Sequence, residues 1–214
     1  MRKSPEIIAL ALALACQPHG HTSNASAGPA MIDRPVELRN GPNAVDLLGD
    51  GTPAEVFIAW RGNYNAHGHS AAAFYVRTAS DLDDSVRDWQ IVPAFGPQDG
   101  ESGRELLGTT EGADCTLGDL RVIQHRGAPV DLIVARRDLG RSYADSAATH
   151  FDYYKLTRNV EGAVGWPPYY FRFVRTVDAR RQYCDVNVAF DQELHLGRHG
   201  IGHGEAAETR RSAP

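Results

Sequence analysis

The chain has 214 residues, 42% of them hydrophobic, with 27 acidic against 22 basic side chains and a formal charge of −5. That length supports a substantial core without rescue by metal or disulfide, and the apolar fraction excludes a disordered chain. The mild negative charge argues against a phosphate-tracking surface, which excludes nucleic acid as a partner. No apolar run reaches the ~18 residues that a membrane span needs.

The N-terminus reads as an export signal. Met1-Arg2-Lys3 is basic, and Ile7 to Ala15 is an apolar stretch of Ala, Leu and Ile. It is too short to span a bilayer and suits a secretory signal core. Ala13-Leu14-Ala15-Cys16 resembles a bacterial lipobox, which makes Cys16 the expected lipidation site and the first mature residue. Cleavage at one of the Ala-x-Ala sites, with loss of Cys16, is the alternative. The expected organisation is a signal peptide at 1–15, a flexible tether at 16–34, one β domain at 35–196 and a disordered tail at 197–214. The tether is rich in His, Ser, Asn, Gly and Pro without apolar periodicity, and the tail contains few large apolar residues.

Three cysteines are an awkward number for an oxidising compartment. Setting Cys16 apart leaves Cys115 and Cys184 as a natural disulfide pair. A bridge closing so long a loop stabilises by about 4 kcal/mol on the chain-entropy model. Two buried free thiols are the alternative, and they suit a cytosolic protein better.

Within the domain the pattern is mainly β. Val36-Glu37-Leu38 alternates, Asn40-Gly41 supplies a turn, and Ala44 to Leu47 follows as a second strand. Ala54 to Trp60 reads as a buried strand, and Phe74 to Val76 and Trp89 to Val92 as further ones. Leu120 to Ile123 and Val130 to Ala135 form a hairpin around Arg126-Gly127-Ala128-Pro129. Thr149 to Leu156 and Tyr169 to Val177 carry aromatic residues on alternating positions. One helix is expected near the end, with Asp185 as N-cap and Val186, Val188, Ala189 and Phe190 on its apolar face. The fold class is therefore mainly β, a sandwich or an α+β sheet, with one short C-terminal helix in a single domain.

Several spots have residues of the right type for chemistry. Asp46 to Glu55 resembles a calcium loop, yet Leu48 and Ala54 stand where oxygen ligands belong, so a Gly-Asp-Gly turn around Asp50 is the preferred reading. Gly68-His69-Ser70-Ala71-Ala72 resembles a nucleophile elbow, which requires a strand before the serine and a helix after it. A polar loop precedes Ser70 and a strand pattern follows it, which disfavours the elbow. His195, His199 and His203 repeat every four residues, but interspersed glycines break that helix, and no metal site or cofactor is expected. The chain has only two lysines, Lys3 and Lys155, and neither follows a serine at Ser-x-x-Lys spacing. A serine β-lactamase or penicillin-binding active site is therefore excluded on that motif. Arg136-Arg137-Asp138 with Arg141 has the residue types to hold a carboxylate bidentately, or to form ordinary surface pairs.

Taken in order, several blocks resemble one family. They are Asn43 to Leu47 with Gly49-Asp50-Gly51, Ala59 to His67, Gly112-Ala113-Asp114-Cys115, Arg137 to Tyr143, Phe151 to Leu156, Gly165 to Phe171, and Tyr183-Cys184-Asp185-Val186-Asn187. Over roughly 40–192 the chain is similar to the CarG-type carbapenem intrinsic-resistance proteins. The resemblance implies a periplasmic protein that protects a cell against a carbapenem without hydrolysing it, and so not an enzyme. A non-hydrolytic protector acts by binding a carbapenem, another small anionic ligand or an envelope protein, and it meets the membrane only through the anchor on Cys16. Self-association is left open. A pocket for a small anionic bicycle needs an Arg for its carboxylate and aromatic walls. On that argument Trp60, Arg61, Asn65, His67, Arg137, Trp166 and Tyr169 are the expected ligand-binding residues. The rival readings are an exported serine hydrolase using Ser70 and an envelope interaction module with no small-molecule site.

Overall fold

A computed structural model describes residues 34–201 apart from 66, 81, 82, 84, 98, 100–102, 113 and 199. The expected signal peptide, the lipidation site Cys16 and all but the end of the tether lie outside the described residues. The chain folds into strands β1 (Arg34–Pro35), β2 (Gly41–Ala44), β3 (Ala54–Arg61), β4 (His69–Ala79), β5 (Arg87–Ile91) and β6 (Ala94–Phe95). Strands β7 (Leu107–Gly108), β8 (Thr110–Glu111), β9 (Thr116–His125), β10 (Ala128–Arg137), β11 (Thr149–Arg158) and β12 (Tyr169–Asp178) follow, and helix α1 (Val186–Leu194) closes the series. They form a seven-stranded sheet in the order β1-β9-β10-β11-β12-β6, with β8 on β9, and a five-stranded sheet in the order β2-β3-β4-β5, with β7 on β4. The mainly-β domain with one short C-terminal helix is the architecture the sequence predicts.

Alternation decides what each face of the large sheet meets. Leu120 and Val122 of β9, Leu132 of β10, Tyr154 and Leu156 of β11 and Phe171 of β12 are buried in one cluster with Val56, Ile58, Phe74 and Val76 of the smaller sheet. The intervening residues Ile123, Ile133, Ala135 and Phe151 point the other way and pack under α1 against Val186, Ala189 and Phe190. Each methylene buried in such a layer contributes roughly 0.8 kcal/mol, so the register is strongly specified. The N-cap expected at Asp185 is present, and its carboxylate accepts the Asn187 amide at 2.7 Å. His195 terminates the helix in the left-handed region at φ 57°, and the two later histidines lie outside the described residues.

Cys115 and Cys184 form a disulfide across 69 residues of sequence, with their Cα atoms 5.6 Å apart. It ties the start of β9 to the residue before the helix cap.

One expectation near the start of the domain is corrected. Ala44 to Leu47 is not a strand. The Asn43 side chain closes the preceding loop on Arg39 through two 2.8 Å bonds, which draws Gly41 to Ala44 into β2 instead. Leu47 then turns into the core, fully buried, and its carbonyl accepts the Val130 amide at 2.9 Å. The packed chain also continues past Leu196, because Ile201 is buried and its amide reaches the buried Asp119 carboxylate at 3.3 Å.

The start of the Asp46–Glu55 segment, through Thr52, is a turn, and β3 follows from Ala54. Asp46 accepts the Gly49 amide at 2.8 Å and the Gly51 amide at 3.2 Å, and Asp50 accepts the Thr52 amide at 2.9 Å. The carboxylates are occupied with their own backbone, and the hydroxyl and amide of Thr52 hold the Asp50 carboxyl below its usual range. Gly49 is required there, since it has φ +72° and a Cβ would lie 2.3 Å from the Ala128 carbonyl oxygen.

Candidate functional site

The inner face of the large sheet becomes polar at one end. Moving along the register, Gly118 faces Arg136 on β10, Val134 faces Asp152 on β11, and Asp152 faces Thr176 on β12. These positions continue the same parity that buries Leu120, Leu132 and Tyr154, so they open directly off the core. A bulge between Tyr153 and Tyr154 of β11 inserts one extra residue in β12. Without it, the strand period of two would aim Thr176 at the opposite face. Gly96, Pro97, Asp99 and Arg104, which lie between β6 and β7, also line this end. The result is a cavity of about 370 Å³, within the size range of small-molecule sites.

Its polar groups form two matched sets. Asp152 accepts Arg136 Nε at 3.0 Å and the Thr176 hydroxyl at 2.6 Å. Asp99 takes Arg104 Nε at 2.6 Å and the Gly96 amide at 2.6 Å. Arg104 Nη2 donates to the Tyr154 hydroxyl at 3.0 Å. The Asp99 side chain is 6% exposed and the Asp152 side chain 12%, whereas those of Arg104 and Arg136 are 42% and 46% exposed. Each guanidinium is thus clamped through Nε by a carboxylate behind it while its outer nitrogens reach solvent. Burial, reinforced by Asp152 and Asp99 and opposed by Arg104, pushes the Tyr154 phenol above its ordinary value and keeps it protonated. Gly96 makes the packing possible, since a Cβ there would lie 2.7 Å from the Tyr154 oxygen and 2.8 Å from Asp99.

Chemically, both carboxylates in this cavity already accept from protein donors, while part of each guanidinium is unused. Both carboxylates have protein partners, while Nη1 of Arg104 and both Nη atoms of Arg136 have none among the described residues. Free guanidinium donors suit an acceptor-rich group, and a planar carboxylate matches a guanidinium edge bidentately.

The residues expected from sequence are dispersed. Trp60 and Arg61 end β3, Asn65 turns the following loop by accepting the His67 amide at 2.9 Å, and the His67 ring packs 5.3 Å from Tyr143. These four share the β3–β4 hairpin end, where the Trp60 indole lies against Gly68. Trp166 stacks on Phe95 at 4.7 Å and meets Tyr170 in a tilted contact at 5.1 Å, and Tyr169 lines a separate cleft with Arg158 and Pro168.

Arg137 lies apart from this cavity. It is 6% exposed, and its guanidinium donates to the carbonyls of Asp145, Ser142 and Tyr143, so it closes the β10–β11 loop and is not free for a ligand. Its neighbour Arg136 faces the cavity. Ser70 lies within β4, 2% exposed, with its amide bonded to the Thr109 hydroxyl at 2.8 Å. The strand–turn–helix geometry of a nucleophile elbow is not formed there.

Sequence reasoning overlooked Asp99, Arg104, Asp152, Tyr154 and Thr176. For Asp152 a signal existed: an acidic residue two places before Tyr154, on the parity that buries Tyr154 and Leu156, is a polar group aimed at the core. Asp99 and Arg104 come from an irregular segment with no periodic signal.

No family model matches the sequence, and no curated protein matches it. Among solved structures, the crystal structure of CarG superposes with a TM-score of 0.59 at 21% identity, over 74% of this chain and 94% of that one. The two chains share a fold.

Proposed function

We propose that this chain is an exported, periplasmic binding protein that holds a small carboxylate-bearing ligand, a carbapenem on the resemblance drawn from its sequence, and is not an enzyme. The observation that carries this reading is the pair of guanidiniums at the cavity mouth. Arg104 and Arg136 are each fixed through Nε by a buried carboxylate and present unused N–H groups. An arginine held in place loses little rotamer freedom on binding, so more of the charge-assisted bond appears as affinity. The protonated Tyr154 hydroxyl adds to the polar lining, and Val134 contributes an apolar wall.

Several observations support the rest of the reading. The Cys115–Cys184 disulfide suits an oxidising compartment, and no helix among the described residues is long and apolar enough to cross a membrane. The basic and apolar N-terminus supplies the export signal, with Cys16 as the proposed lipid anchor. The absence of Ser-x-x-Lys and the extended, buried setting of Ser70 favour sequestration over hydrolysis. The CarG fold agrees with a role in carbapenem protection.

Titration calorimetry of the full chain with a carbapenem tests the site. Saturable binding that weakens about tenfold or more in Arg136→Gln, with an unchanged melting profile, is the expected result. Equal affinity in wild type and Arg136→Gln overturns the site.

A further inference from the structure

A second cleft, of about 640 Å³, lies at the other end of the large sheet. Three arginines from three strands line it: Arg77 of β4, Arg87 of β5 and Arg158 of β11. Thr52, Thr78, Asn159 and Tyr169 complete the polar part of its wall. Register explains the convergence. Arg77 pairs with Trp89 and Ala79 with Arg87 across β4 and β5, which makes the two arginines diagonal neighbours on one face. Arg158 is the last residue of β11, opposite Tyr169.

The charge here is not offset by acidic partners, as it is at several other arginines of the molecule. Arg104, Arg121, Arg136, Arg141, Arg180 and Arg198 each have an acidic partner within 4 Å. The guanidiniums of Arg77, Arg87 and Arg158 make no hydrogen bond or ion pair among the described residues. The nearby Asp50 feels the charge of Arg158 but spends its carboxylate on Thr52. Three like charges gathered in one concavity repel one another, and in a chain of formal charge −5 their clustering is not a by-product of overall basicity.

We propose that this cleft is an oxyanion site that holds a phosphate-type group across Arg77, Arg87 and Arg158. A tetrahedral oxyanion offers acceptors in several directions at once, which suits guanidiniums arriving from three strands better than a planar carboxylate does. The group is either a free phosphate compound or the headgroup of an anionic lipid; the chemistry at the arginines is the same. The site is independent of the carboxylate cavity, because Asp152 and Arg158 are about 20 Å apart along β11 at ~3.4 Å per residue.

The test is calorimetry with pyrophosphate at low ionic strength, together with co-sedimentation on phosphatidylglycerol and phosphatidylcholine vesicles. Both use the full chain and an Arg77→Gln, Arg158→Gln variant. These side chains are exposed and unbonded, so the variant keeps its fold, which its melting profile checks. Pyrophosphate binding that falls about a hundredfold in the variant and weakens steeply with salt supports the site with a soluble ligand. No pyrophosphate binding, but preference for phosphatidylglycerol that the variant loses, supports it with a lipid headgroup. Absence of both, or binding that the variant leaves unchanged, overturns it.

Discussion

Arg136 and Arg137 are chain neighbours whose roles are set by strand parity. Arg136 shares the inner face with Leu132 and Val134, where it meets Asp152 at 3.0 Å. Arg137 projects from the opposite face and is buried against three loop carbonyls. Removing it leaves buried acceptors without a donor, at roughly 1–3 kcal/mol for each group that water cannot reach. Arg137→Ala is therefore expected to lower stability by about 2–4 kcal/mol while leaving carboxylate affinity within about twofold. Urea unfolding and calorimetry on the same preparation separate those two effects. A variant with intact stability and lost affinity would return Arg137 to the binding machinery. Tyr154 gives a second prediction. Its folded phenol titrates above the ordinary value of 10.0, chiefly through burial. Above that pH the unfolded chain has released the proton and the folded chain still holds it, so the contribution is fully present at lower pH and is lost as pH rises through the folded value. Stability is expected to fall above about pH 10, and Tyr154→Phe to flatten that fall, as read by melting temperature across pH. An identical alkaline slope in the variant contradicts this assignment.

At the level of elements, the long strands were legible because alternation and length agree. The β9–β10 hairpin is bounded by Gly127 at φ +64°, and β11 and β12 follow the aromatic alternation of Thr149–Leu156 and Tyr169–Val177. Helix α1 was legible from Asp185 and the apolar spacing behind it. Asp185→Ala is expected to cost about 1 kcal/mol, since the cap bond to Asn187 is lost. Urea denaturation measures it, and a change under a few tenths shows that the disulfide next door, not the cap, fixes the helix start. The two-residue strands β6, β7 and β8 carried no periodic signal, because two residues cannot show a period. The bulge in β12 was equally silent, since an inserted Val174 looks like any other apolar residue in a strand. Both omissions matter to the site, because β6 and β7 frame the segment that holds Asp99 and Arg104, and the bulge aims Thr176.

For the whole molecule, two sheets and a helix use the two faces of the larger sheet for different purposes. One face is closed by α1, and the other is shared between apolar core and polar cavity. The core is continuous up to Tyr154, whose ring belongs to the core and whose hydroxyl belongs to the cavity. The candidate site was only partly legible. Arg136 stood in a stretch whose residue types suit either a carboxylate or ordinary surface pairs, and Arg137 was the residue chosen from it. The cavity depends instead on pairings between strands distant in sequence, such as Arg136 with Asp152 and Arg104 with Tyr154. Aromatic residues chosen by type proved to be spread between the β3–β4 hairpin end and the region before β12, because type alone does not report which end of a strand a residue occupies.

The central claim is that the cavity holds a carboxylate-bearing ligand and leaves it intact. The most direct measurement incubates the full chain with a carbapenem, records the melting temperature, and then quantifies the recovered drug by chromatography. A ligand that prefers the native state raises stability by mass action, by about 2.7 kcal/mol at a hundredfold excess over its dissociation constant. A raised melting temperature, full recovery of drug and loss of the rise in Arg136→Gln are predicted. Loss of drug that depends on Ser70, or a rise that Arg136→Gln leaves in place, would contradict the account.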